Sequence, residues 1–241
     1  MATSSEFQLP QFHLLFMDHD HFVAFNSAAR EFPLPPSVKL TVHEDRLAEL
    51  PASVKFDAIV SPANSYARLD GGFDDALSRV FSPKHDYLAL TRHAQRVVYQ
   101  EWRGFAPPGT CTLIDLKHES LRDGPWGCRY LALCPTMKIP QNVTWDQEVV
   151  YECVWSLLAS VSKHNEAVAK TETNDKRTIT SILMTPLATG YGGWSAARWA
   201  AQFLIAIRHF TEATARAEKW GVMDPISIMK FAEEMQKTHQ L

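Results

Sequence analysis

Asp57-Ala58-Ile59-Val60-Ser61-Pro62-Ala63-Asn64-Ser65-Tyr66-Ala67-Arg68-Leu69-Asp70-Gly71-Gly72-Phe73-Asp74-Asp75-Ala76-Leu77 is the stretch whose reading decides the fold. With Phe56 in front, its first residues make a short apolar run of the kind that forms a buried strand. A loop rich in Pro, Asn, Asp and Gly follows, and the apolar positions of Phe73 to Phe81 then recur on one helical face. Gly71 and Gly72 permit positive φ and close approach of a ligand to backbone N–H groups. The unpaired donors and dipole of the next helix favour an anion there. Asn64 offers both a donor and an acceptor, which suits a ribose hydroxyl. Each piece also has a plainer reading: a tight turn at Gly71-Gly72, and a helix cap at Asp74.

Outward from this stretch the same alternation continues in both directions. Upstream, Phe12 to Met17 reads as a buried strand, Phe22 to Phe32 as a helix closed by Pro33, Pro35 and Pro36, and Val38 to Val42 as a second strand. Downstream, a helix is expected from Pro83, a residue suited to a first helical turn, to Trp102. Strands follow at Thr110 to Leu116 and Arg129 to Cys134, and a helix at Val149 to Val161. The polar stretch Lys163 to Arg177 reads as a helix tail and loop. Thr178 to Thr185 is a strand, Ser195 caps a long helix running to about Ala217, and a short helix covers Pro225 to Met235. Strands alternating with helices predict an α/β three-layer sandwich with a mixed, mostly parallel central sheet. The expected organisation is a single domain over residues 1–241, with a flexible stretch at 1–10 and a helical extension at 218–241.

In such sheets ligands sit beyond the carboxyl ends of the strands, where loops meet helix N-termini. A second loop has that character: Pro186-Leu187-Ala188-Thr189-Gly190-Tyr191-Gly192-Gly193-Trp194-Ser195. Three glycines in four positions ahead of a capped helix suit a diphosphate cradle of backbone N–H groups. No Gly-Lys-Ser/Thr follows, so this is not a P-loop.

Together the two loops resemble the macrodomain family. Its signature runs from a strand Asp-Ala-Ile-Val through Asn-Ala-Ala-Asn and a short loop to Gly-Gly-Gly-Val-Asp and an Ala-Ile helix. Asn64 falls on the second Asn and Asp74 on the closing Asp, with the spacing kept. The second loop is similar to the Thr-Gly-x-Gly-Gly version of the family's phosphate loop. The Ser-Pro-Ala-Asn-Ser loop at 61–65, the segment Pro135 to Pro140 and the helix from Ala196 resemble a subgroup found in bacteria, phage and fungi. The resemblance spans about residues 12–210 and implies the macrodomain fold. It also implies a ligand of the ADP-ribose type, either free or carried on a protein or nucleic acid.

By this resemblance the adenine end falls to Asp45, with the Arg46 backbone N–H on a ring nitrogen. The distal ribose falls to Asn64, Gly71 and Gly72 and the diphosphate to Gly190, Tyr191, Gly192 and Gly193, with Ala63, Phe73 and Thr189 also expected to line the ligand. Asp74, assisted by Asn64, would place a water for hydrolysis of an ADP-ribosyl linkage. The alternative is a non-catalytic reader of ADP-ribose marks. Retention of Asp74 favours the hydrolase. Ser61 in place of the motif's first Asn, and Asp70 in place of its first Gly, favour the reader. Glu44 stands where the adenine motif usually has Gly. Asp70 is expected to face solvent.

The remaining features narrow the function by exclusion. A net charge of −3 argues against a protein that coats duplex nucleic acid, which must neutralise many phosphates. Four cysteines without a Cys-x-x-Cys pair read as reduced core thiols of an intracellular protein. Residues 1–10 lack a basic segment followed by an apolar one, and no apolar run reaches the roughly 20 residues of a membrane span. The expected location is therefore cytoplasm or nucleus, not secreted, and the expected state a monomer. Asp18-His19-Asp20-His21 reads as a polar strand end rather than a metal site, because neighbouring loop residues rarely converge on one ion. Neither a metal nor another cofactor is expected. A Rossmann-like methyltransferase would also use an acid after the first strand, but no Gly-x-Gly loop precedes Asp18.

Overall fold

The computed structural model describes residues 8–171 and 177–241. Of the expected flexible stretch at 1–10, residues 1–7 lie outside the described residues, as do residues 172–176 of the polar stretch 163–177.

Among the described residues six strands form one sheet: β1 (Gln11–Phe16), β2 (Leu40–Glu44), β3 (Ala58–Ser61), β4 (Thr112–Asp115), β5 (Tyr130–Leu133) and β6 (Ser181–Met184). Their order across the sheet is β2-β1-β6-β3-β5-β4. Every neighbouring pair is parallel except β4 with β5. β3 and β5 are buried at every position, as expected for interior strands covered on both faces. The edge strand β2 has no buried residue.

Side-chain alternation divides the core in two. On one face Phe12, Leu14, Val60, Ala132 and Met184 pack beneath α1 (His19–Glu31), α4 (Val149–Ala169) and α5 (Ala196–Ala215). On the other, Leu15, Ile59, Leu131, Leu133 and Leu183 pack beneath α2 (Gly72–Phe81) and α3 (Ala89–Trp102). This is the three-layer α/β/α sandwich with a mixed, mostly parallel sheet that the sequence predicts. Trp199 of α5 is fully buried, edge-on to Phe16 and stacked on Phe203. Each such ring contributes ~2–3 kcal/mol by burial.

The C-terminal residues form α6 (Ala217–Trp220), α7 (Pro225–Gln236) and a 3-10 turn (Lys237–Gln240). Asp224 caps α7 by accepting from the Ile226 and Ser227 N–H groups. The buried Gln202 amide donates to Thr238 Oγ1 at 2.9 Å and accepts from the Tyr151 N–H at 3.2 Å, tying this segment to α4 and α5.

Two boundaries differ from expectation. His19, Asp20 and His21 form the first turn of α1 rather than a strand end, and the acidic Asp20 there suits the positive end of the helix. The third helix begins at Ala89, not Pro83. Residues 83–88 make turns closed by the Asp86 N–H on the Pro83 carbonyl and the Ala89 N–H on the Asp86 carbonyl. α4 runs on to Ala169, so the start of the polar stretch is the expected helix tail. No described helix is long and apolar enough to cross a membrane.

Candidate functional site

β3 delivers Ser61 to the middle of the sheet's carboxyl edge, where it is fully buried. The loop that follows is organised by the amide of Asn64. Its Oδ1 accepts from the N–H groups of Tyr66 (3.1 Å) and Arg68 (3.3 Å), and its Nδ2 donates to the Arg68 carbonyl at 2.8 Å. This clamp supports Ala67, a buried non-glycine residue at φ 51. Leu69 is fixed at both backbone groups, its N–H donating to Thr91 Oγ1 and its carbonyl accepting from Ser78 Oγ. Ala63 is buried beneath the loop. Asp70 lies at the surface, paired with Arg68 Nε at 2.5 Å.

The loop ends at the N-terminus of α2. Gly71 is extended there, and Gly72 takes φ +56 with open space where a Cβ would stand. Among the described residues, the N–H groups of Gly71, Gly72 and Phe73 meet no acceptor. Asp74, 6% exposed, accepts the Ser61 hydroxyl on Oδ1 at 2.6 Å. Burial pushes its carboxyl up to about 7. The Ser61 hydrogen bond opposes that rise and the nearby Asp70 charge adds to it. At neutral pH the group is therefore poised between acid and carboxylate.

The second loop follows β6, the strand beside β3. Ala188 sits at φ 61 and Gly193 at φ 73. The Trp194 N–H donates to the Ala188 carbonyl and the Gly193 N–H to the Gly190 carbonyl. A Cβ on Gly192 would lie 2.3 Å from the Ala188 carbonyl oxygen, so glycine alone fits there. From outside, the segment at 142–144 braces the loop: the Val143 N–H donates to the Gly192 carbonyl, and Trp194 Nε1 to the Val143 carbonyl. Ser195 caps α5 by accepting from the Arg198 N–H. Thr189 turns its hydroxyl to the Pro186 carbonyl at 3.2 Å. The N–H groups of Thr189, Gly190, Tyr191 and Gly192 have no acceptor among the described residues.

The two loops meet. The position of a Cβ on Gly71 is 3.9 Å from the ring of Tyr191, a side chain that is otherwise 69% exposed. Two groups of backbone donors without an acceptor among the described residues thus lie on neighbouring loops, a set that suits a multiply charged anion such as a diphosphate.

Asp45 and Arg46 stand apart from the loops, at the far end of the same edge. They border a cleft of about 260 Å³ at the carboxyl ends of β1 and β2, which is lined also by Asp18, His19, Glu44 and Glu49. Asp45 Oδ1 accepts from the Arg46 N–H at 3.0 Å, so these two groups are paired with each other in this structure. From Asp45 past β1 and the second loop to the first loop, the strand order makes three steps of ~4.8 Å each.

Sequence reasoning did not find a role for Ser61, which it marked only as a departure from the motif. The hydrogen bond to Asp74 links residues 13 apart and needs the packed loop to exist. It also missed Thr136 and Thr185, whose hydroxyls are buried just past the ends of β5 and β6 without a partner among the described residues. No group of three or more His, Cys, Asp or Glu among the described residues is placed to hold a metal.

No family model matches the chain, and no curated protein matches it. Among solved structures it is similar to a macrodomain of Oceanobacillus iheyensis in several forms. A mutant with ADPR is 19% identical over 62% of this chain and 69% of that one, with a TM-score of 0.43. The form with ADP is 21% identical over 62% and 67%, with a TM-score of 0.43. The form with MES bound is 21% identical over 65% and 70%, with a TM-score of 0.44.

Proposed function

We propose that this chain is a macrodomain-type module that binds ADP-ribose, and that Asp74 positions a water for hydrolysis of an ADP-ribosyl linkage. One observation carries the binding reading: among the described residues the N–H groups of Gly71 to Phe73 and of Gly190 to Gly192 have no acceptor, and the two loops come together at Gly71 and Tyr191. The diphosphate would rest on the second loop, and the distal ribose would lie against Gly71, Gly72 and Asn64. The nucleoside would run past the end of β1 towards Asp45. There, turning the Asp45 carboxylate to an adenine amino group would require the Arg46 N–H to exchange its present acceptor for a ring nitrogen.

The hydrolytic step draws support from the protonation poise of Asp74. A carboxyl held near 7 matches what a general base needs at neutral pH and contributes ~10²–10⁴-fold in rate where the geometry is right. A second reading, a non-catalytic reader of ADP-ribose marks, is favoured by a different observation. Asp74 is almost wholly buried, and one of its oxygens is already occupied by Ser61.

Calorimetric titration with ADP-ribose tests the shared pocket, with Gly192→Glu as the control expected to abolish binding. Absence of binding by the wild type overturns both readings. Incubation with mono-ADP-ribosylated protein then separates them. Release of ADP-ribose by the wild type and not by Asp74→Ala supports hydrolysis, whereas binding without release by the wild type leaves the reader.

A further inference from the structure

Three of the four cysteines gather on one side of the sheet: Cys111 just before β4, Cys134 just after β5, and Cys153 on α4. The antiparallel register pairs Thr112 with Leu133 and Leu113 with Ala132, and one step further sets Cys111 directly opposite Cys134. Parity puts both on the same face, because Cys111, Ala132 and Cys134 all belong to the α4-side core while Ile114, Leu131 and Leu133 belong to the other.

Pairs in an antiparallel ladder alternate between hydrogen-bonded and non-hydrogen-bonded. The Leu116 N–H donates to the Arg129 carbonyl, which marks that pair as hydrogen-bonded and, five steps along, the 111/134 pair as not. Independently, the Cys134 N–H donates to the Ser61 carbonyl of the opposite neighbour at 2.9 Å, so it points away from β4. Non-hydrogen-bonded pairs bring Cα atoms to ~4.5 Å and side chains closest together, within the range a disulfide spans. The Cys111 side chain is close enough to raise the Cys134 thiol pKa. Cys153 instead donates its thiol to the Pro135 carbonyl.

We propose that Cys111 and Cys134 are a redox modification site, closing to a cross-strand disulfide under a peroxide or a low-molecular-weight disulfide. With hydrogen peroxide the balance is simple. The Cys111 sulfur attacks one peroxide oxygen, giving a sulfenic acid and one water. The Cys134 sulfur then displaces the hydroxyl from Cys111 as a second water, and the S–S bond forms as both thiol protons leave. Cys111 reacts first because it keeps 9% of its surface exposed, whereas Cys134 and Cys153 keep none. The Cys111 side chain together with burial holds the Cys134 thiol, and burial the Cys153 thiol, above the ordinary range, so neither competes for the peroxide, and Cys134 passes its proton to the departing hydroxyl as it attacks.

The bond would act where the first loop rests. Beyond Cys134 the β5 chain continues under that loop, with the Thr136 N–H on the Ala63 carbonyl at 3.0 Å and the Ser65 N–H on the Met137 carbonyl at 2.9 Å. Pinning Cys134 to β4 anchors this support. The inference does not depend on which ligand the loops bind.

The test is peptide mapping of the folded full chain after hydrogen peroxide, with remaining thiols alkylated before digestion. The expected product joins the Cys111 and Cys134 peptides and reverts with dithiothreitol. Oxidised protein should melt roughly 5 °C above reduced protein, a gain that Cys111→Ser removes and Cys153→Ser keeps. Separate alkylation of Cys111 and Cys134 after oxidation overturns the proposal, as does a Cys134–Cys153 link or sulfinic acid on Cys111 without a cross-link. Mapping of the wild type decides the matter even where a variant fails to fold.

Discussion

The two loops at the carboxyl edge do one job by opposite means. The first loop is built by side chains: Asn64 clamps the backbone of Tyr66 and Arg68, Thr91 and Ser78 hold Leu69, and Ser61 holds Asp74. The second is built by missing side chains, with Gly192 against the Ala188 carbonyl and Gly193 against Asn142. Hydrogen bonds fail one at a time, each costing ~1 kcal/mol. A backbone approach that only glycine permits fails all at once. The first loop should therefore degrade in steps, and the second should break at a single position.

The sharpest way to break this contrast is Gly192→Ala. Its Cβ would lie 2.3 Å from the Ala188 oxygen, 2.9 Å from its carbonyl carbon and 3.0 Å from its Cα, all backbone atoms with no flexible end to yield. We expect a loss of ~3 kcal/mol or more by denaturant unfolding, because relief requires moving the loop off its brace at Val143. A loss under ~1 kcal/mol would show that the second loop gives way as readily as the first.

Asp74 comes next, through pH. Its folded pKa, about 7, is above the usual carboxylate value, so the folded state holds the proton more tightly than the unfolded one. The associated stability is fully present below pH ~4, declines as pH rises, and is lost above about 7. Between pH 5 and pH 8 the wild type should lose ~3 kcal/mol more than Asp74→Asn does. Parallel profiles for the two proteins would mean that Asp74 is solvated in solution and that the first loop is looser than its hydrogen bonds imply.

Asn64→Ala should cost ~2 kcal/mol, since it strands the N–H groups of Tyr66 and Arg68 and the Arg68 carbonyl. Asn64→Asp keeps the acceptor and loses the donor, so its cost should fall between wild type and Asn64→Ala. Equal losses for both variants would contradict stepwise failure.

How legible each loop was follows from the same contrast. All six strands could be read from the sequence, since short apolar runs ending in Pro, Gly, Asn or Asp leave few alternatives. Their order across the sheet could not, because it depends on which crossovers pack, and neither could the reversed direction of β4. The glycines of the second loop advertised themselves by spacing. The pairing of Ser61 with Asp74 stayed hidden because it exists only once the strand end and α2 are packed together. The work of Asn64 was misjudged in emphasis: an amide suited to a ribose hydroxyl is equally suited to closing its own loop, and in this structure it does the latter. The helix expected from Pro83 failed for a local reason, since residues 83–88 turn so that Tyr87 can donate its hydroxyl to Asp75 at 2.6 Å.

The smallest effects test whether glycine matters at every position of the opening or only where backbone crowds it. Gly72 has open space around a Cβ but sits at φ +56, so Gly72→Ala should cost ~1 kcal/mol from backbone strain alone. Gly190 has neither a crowding atom within 4 Å nor a positive φ. Gly190→Ala should therefore change stability by less than ~0.5 kcal/mol, and restricting the unfolded chain could make the change favourable. Measured side by side in denaturant, the two substitutions separate strain from crowding. If Gly190→Ala leaves stability unchanged yet weakens ADP-ribose binding in the calorimeter, the residue serves the ligand's approach to its N–H rather than the loop's own shape. If it changes neither, the diphosphate cradle reduces to Tyr191 and Gly192, and the glycine-built half of the comparison rests on Gly192 and Gly193 alone.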